Sequence, residues 1–170
     1  MKRFAFFILL FIVPIITFGQ KFAYVDTEYI LSNIPSYKAA QNKLNSLSIE
    51  WQKEIEEEYT KIDEMYKDFQ TEKVLLTNEM IKQREAEILA EEKLVKNLQR
   101  KYFGPNGELF KKREELIKPI QDEVYTVIQD IAQSGNYAII FDTTTGSNVL
   151  FTDPKYDKSD EVLEKLGYKN

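Results

Sequence analysis

The feature that most restricts how this chain can fold is the run from Tyr37 to Tyr102, which contains neither Gly nor Pro and repeats its apolar residues at helical spacing. Between Leu44 and Phe69 those residues are Leu44, Leu47, Trp51, Ile55, Tyr59, Ile62, Met65 or Tyr66, and Phe69. Steps of three and four put them in one stripe along a helix. A second stripe, Ile81, Ile88, Val95, Leu98 and Tyr102, follows the patch Leu75-Leu76-Thr77-Asn78-Glu79-Met80, in which two good N-cap residue types interrupt the pattern. The spacing predicts two helices of about 35 to 40 residues, on the order of 50 to 60 Å long. So narrow a stripe cannot anchor a thick core. It can pack on a second stripe, so the expected form is an antiparallel hairpin that turns at Thr77-Asn78 and projects as an arm.

The amino terminus reads as an export signal. Met1-Lys2-Arg3 precedes a 15-residue apolar stretch, Phe4 to Phe18, that is short for a membrane span, and Thr17 and Gly19 are small residues at cleavage-site spacing. Cleavage near Gly19 would leave 21 basic against 28 acidic residues, a net charge of −7, which excludes wholesale nucleic-acid binding. With no Cys, the exported fold has no disulfide and no site for a lipoprotein anchor, so it must be held by packing.

On either side of the arm the pattern is that of a small body. Lys21 to Asp26 is a short β-type run. Thr27 to Leu31 is a helical turn capped by Asp26 or Thr27, and Pro35 marks a boundary with Ser36 as the cap of the long helix. Phe103-Gly104-Pro105-Asn106-Gly107 is the sharpest break, after which a broader apolar face runs from Leu109 to Ile131, with Pro119 inside it and a kink expected near Lys118. Tyr137 to Asp142 is the best strand, nearly all apolar and expected to be buried on both faces. Asn148 to Thr152 reads as its partner, and a last helix capped by Ser159 or Asp160 is closed by Gly167. The reading is α+β: signal 1–19, body 20–36 and 118–170, hairpin arm 37–117. Three strands leave two open edges on a body near the lower size limit for a core, so subunits should join through the sheet. Phe22, Tyr24, Ile139, Ile140, Phe141, Val149 and Phe151 are the candidate oligomerisation residues.

Neither His nor Cys is present, which removes the usual general base, the thiol nucleophile and most zinc or copper sites, so the chain reads as a non-enzyme with no cofactor or metal. Asp142 ends an apolar strand as the nucleophile of aspartate-dependent phosphotransferases does. Those enzymes carry a second Asp two residues on, where this chain has Thr144. Charge is polarised along the arm, net −8 from Glu50 to Glu92 and net +5 from Lys93 to Lys118. The acidic run Glu56-Glu57-Glu58 points around a helix and reads as a solvated face. Adjacent apolar residues near the turn exceed what one narrow seam can bury, so Tyr59, Met65, Tyr66, Phe69, Leu75, Leu76, Met80 and Ile81 are candidates for contact with apolar segments of a client chain.

Taken together, the signal, the Phe22-Ala23-Tyr24-Val25-Asp26 strand, the charged hairpin, Tyr137-Ala138-Ile139-Ile140-Phe141-Asp142 and the closing Asp160-Glu161-Val162-Leu163-Glu164-Lys165-Leu166 resemble the Skp/OmpH family of periplasmic chaperones from Lys21 to Leu166. The resemblance implies a homotrimer with a β-barrel body built from three chains. Its arms would enclose unfolded outer-membrane proteins and prevent their aggregation without ATP. Well-known members are basic, whereas this chain has a pI near 5.0, which argues against carrying over lipopolysaccharide or anionic-lipid binding. A structural coiled-coil spacer or adaptor of the cell envelope is the alternative function.

Overall fold

The computed structural model describes residues 20–144 and 149–168; the predicted signal segment and Asn148 of the predicted third strand lie outside the described residues. Strand β1, Lys21–Val25, leads into helix α1, Thr27–Ser32, whose first turn is capped by Asp26 accepting from the Tyr29 N–H at 2.8 Å. Helix α2, Pro35–Glu72, is one unbroken rod of 38 residues, roughly 57 Å at 1.5 Å per residue. Pro35 opens it, where a missing N–H removes no helical bond, and the N-cap is the extended Ile34; Ser36, the expected cap, lies inside the helix. After a 3₁₀ turn, Lys73–Leu75, Thr77 accepts from the Met80 N–H and starts α3, Asn78–Phe103. The hairpin therefore reverses over residues 73–77, ending at the predicted Thr77, while Asn78 is already the first residue of the returning helix.

The returning helix has 26 residues and is shorter than expected. Gly104 stops it: a Cβ there would stand 2.3 Å from the Arg100 carbonyl oxygen. Helix α4, Glu108–Leu116, and helix α5, Lys118–Ser134, follow. Pro119 sits in the first turn of α5, so the chain breaks at Ile117 instead of kinking within one helix, because a proline is tolerated at a helix start and not in its interior.

Strand β2, Tyr137–Asp142, pairs in parallel with β1, placing Phe22 opposite Ile139, Ala23 opposite Ile140 and Tyr24 opposite Phe141. The expected third strand is a correction: Val149–Thr152 forms none. The other side of β1 is taken instead by a bridge from Tyr24 to Asp157, with the Lys158 N–H donating to the Tyr24 carbonyl at 2.9 Å. Helix α6, Ser159–Lys165, begins after Lys158, one residue before the predicted cap, and the Asp157 carboxylate receives the Ser159 N–H at 2.8 Å. Gly167, at φ +83, closes it: its own N–H reaches the Glu164 carbonyl and the Tyr168 N–H reaches that of Leu163.

Three apolar clusters hold these parts. The body core is Val25, Ile30, Ile34, Val124, Ile131, Val162 and Leu163. A collar of Ala40, Leu44 and Ile117, backed by Leu109 and Leu116, fixes the root of α2 against α4 and α5. The arm has its own seam.

Candidate functional site

The arm seam consists of Ile55, Ile62 and Phe69 on α2 and Ile88, Val95 and Tyr102 on α3, each set spaced by seven residues. Seven is nearly two turns, so one side chain per heptad returns to the facing line. Trp51 lies flat on Tyr102, with ring centroids 4.8 Å apart at an angle of 3°, and closes the seam toward the body. Two phenols tie the helices across it. Tyr102 donates to Glu54 and Tyr66 to Glu92, each at 2.9 Å, and these hydrogen bonds raise both phenol pKa values because ionisation would put two anions together.

Of the residues predicted to meet a client, Phe69 is a correction: at 5% exposure it belongs to the seam, because it falls on the heptad line of Ile55 and Ile62. Met65, Leu76 and Ile81 are half-buried against the same seam. Tyr59, Tyr66, Leu75 and Met80 are exposed. At the end of the hairpin the 3₁₀ turn holds Val74 and Leu75 outward, 86% and 85% exposed, beside Met80. A tight turn has no second layer to cover them. Sequence reasoning did not single out Leu89 and Leu94, which are also exposed; the signal was available, since neither lies on the heptad line of Ile88 and Val95.

The second surface is the sheet. Parallel register puts Phe22, Tyr24, Ile139 and Phe141 on one face, and Ala23, Val25 and Ile140 on the other. The second face rests on the body core, which Ile140 joins. The expectation that Tyr137 to Asp142 is buried on both faces is therefore corrected for the single chain, as is the grouping of Ile140 with the outward residues. The chain's own helices cover only one side, leaving Phe22, Ile139 and Phe141 nearly half exposed. With Val149, Phe151 and Tyr156 the open face borders a hollow of about 780 Å³.

Asp142 is a clamp between strand and helix. Its oxygens accept from the Thr27 hydroxyl at 2.8 Å, the Thr144 N–H at 3.0 Å and the Thr27 N–H at 3.4 Å. Partial burial pushes its pKa up, but the hydrogen bonds from Thr144 and Thr27 outweigh burial and hold it below the ordinary carboxylate range. Thr144 also donates to Asp26 at 3.0 Å. The sheet around Asp142 has two described strands, unlike the doubly wound sheet of a phosphotransferase.

Comparison with known proteins bears on the family and the fold. The model of the family described as outer membrane protein (OmpH-like) matches residues 21–166. A protein of Aquifex aeolicus (strain VF5), described as uncharacterized, is 27% identical over 166 residues, covering 98% of this chain and 96% of its own. The crystal structure of a candidate outer membrane chaperone (OmpH-like) from Caulobacter crescentus CB15 superposes with a TM-score of 0.67 at 17% identity, over 87% of this chain and 84% of that one. At that identity the match speaks for the fold alone.

Proposed function

The chain belongs to the OmpH-like outer membrane chaperone family, and from that premise we propose that it is an ATP-independent periplasmic holdase for unfolded outer-membrane proteins. Three copies join through the open sheet face, and their arms surround a cavity in which the client is held. The observation that carries this reading is the hairpin end, where Val74, Leu75 and Met80 stand exposed outside the arm's buried seam. A spacer that only measured distance would gain nothing from uncovered apolar side chains there. Each contact with a client is weak, but three arms acting on one tethered chain raise the effective concentration of the next contact.

The test is light scattering by several unrelated β-barrel proteins diluted from denaturant, with and without the mature protein at equimolar trimer. Suppressed aggregation of all of them is expected. Leu75→Ser with Met80→Ser should retain the clients less well and melt at nearly the wild-type temperature, since neither side chain supports the seam. If the wild type protects none of these clients, the protein is a spacer or adaptor instead.

A further inference from the structure

At the middle of the arm the seam is interrupted by acids. Stepping by seven along α2 leads from Leu44 through Trp51 and Glu58 to Met65, and the facing line on α3 carries Leu98, Glu91 and Arg84. Trp51, Met65 and Leu98 pack on the seam. A carboxylate sealed in the same position would lose its hydration, and Glu58 and Glu91 are accordingly only half-buried. Glu58 pairs with the Lys61 ammonium at 2.6 Å, and Glu91 lies half-buried in the field of the same ammonium, with no ion pair of its own among the described residues. What remains is a groove of about 510 Å³ along the arm. Leu94, 59% exposed, lines it with Val95 and Leu98. Because α3 runs from tip to body, Glu91 stands at the tip end and Lys101 at the body end, its ammonium 5.1 Å above the Tyr102 ring, while Glu58 reaches in from α2 between them.

We propose that this groove takes segments of unfolded chain in which a Lys or Arg adjoins apolar side chains, so that the arms select cationic stretches. The inference rests on the holdase reading and names the segment class it favours. The apolar part of such a segment covers Leu94 and Leu98, and its cation lies toward Glu91. Toward the tip the charge complementarity extends beyond the groove, since Glu50 to Glu92 carries 14 acidic against six basic residues, whereas Lys93, Lys96, Arg100 and Lys101 make the body end of its α3 side basic. An acidic segment is repelled at the Glu91 end, and a cationic one bound there is oriented with its charge away from Lys101. A second arm running parallel in the proposed trimer is disfavoured as an occupant, as it would bring net −8 against net −8.

The experiment uses the mature protein and two fluorescent peptides of identical apolar content, one carrying Lys and the other Glu at the remaining positions. Anisotropy titrations at about 20 mM salt should show the Lys peptide binding about tenfold tighter, with the preference falling to about twofold at about 300 mM. Glu58→Gln with Glu91→Gln should reduce the preference several-fold at unchanged melting temperature, and Leu94→Ser should weaken both peptides. Equal affinities at low salt, tighter binding of the Glu peptide, no binding of either, or a preference indifferent to the Gln substitutions overturns the proposal. Retention of an unfolded β-barrel client by the same preparation separates the two readings. Retention without peptide discrimination removes only the groove's selectivity, whereas discrimination without retention removes the holdase and leaves the groove.

Discussion

Asp142 shows how one residue can be misread from its neighbours and correctly valued from its partners. Following an apolar strand, it resembles a nucleophile; in place, its oxygens are occupied by Thr27 and Thr144, and it pins the end of β2 to the start of α1. Its folded pKa lies below the unfolded value of about 3.9, so its contribution is present above that pH and is lost as pH falls through the folded pKa. Asp142→Asn should therefore cost about 1 kcal/mol near neutral pH, and the difference from wild type should close in acid; urea midpoints at a series of pH values measure this. Were the gap constant down to the most acidic point, Asp142 would not be the titrating clamp. Gly104 is a different kind of constraint, steric instead of electrostatic. Gly104→Ala must displace the Arg100 carbonyl, and a loss of about 1 to 3 kcal/mol, seen as a lower melting temperature, is expected.

Among the elements, the arm and the body have separate cores: the seam shares no buried residue with the cluster around Ile30 and Ile131. Damage to one should leave the other standing. Ile88→Ala should cost about 2 to 5 kcal/mol within the seam, and hydrogen exchange should accelerate across α3 and the facing half of α2 while β1, β2 and α5 keep their protection. Uniform loss of protection over the whole chain would show that arm and body unfold together. The collar at Ala40, Leu44 and Ile117 is the mechanical joint between them, because α2 passes through it without a break while the returning limb is divided at Gly104 and Ile117.

For the whole molecule, the proposed trimer would separate folding from assembly between the two faces of the sheet. Ile140 packs on the body core, so Ile140→Asp would bury an unpaired carboxylate and cost several kcal/mol, about 3 to 5, unfolding the protomer. Phe141 points to the open face, so Phe141→Asp should leave the protomer folded and lower the mass in solution from trimer to monomer. Sedimentation combined with circular dichroism distinguishes the two outcomes; a stable monomer of the unmutated chain at micromolar concentration would refute trimerisation. Export is tested at the same scale. Protein recovered from the envelope should begin at or near Gln20, and an intact Met1 in the membrane fraction would instead indicate an anchored protein.

By itself the sequence determined the hairpin and its turn, because helical periodicity, the absence of Gly and Pro and the Thr77 cap are local properties that neighbouring residues enforce. It also marked the ends of the helices at Pro35, Gly104 and Gly167, where backbone sterics act over a few residues. It could not determine what pairs with what over long separations. That β1 lies parallel to β2, that Asp157 and not Val149–Thr152 takes β1's other side, and that Ile140 and Phe141 face opposite ways follow from strand register, which is set by contacts more than a hundred residues apart. The division of the arm's apolar residues was likewise decided in three dimensions. Phe69 and Leu75 are equally apolar in the sequence, but the first faces α3 from α2 and is buried, while the second lies in the 3₁₀ turn beyond the end of α2, where no second layer covers it.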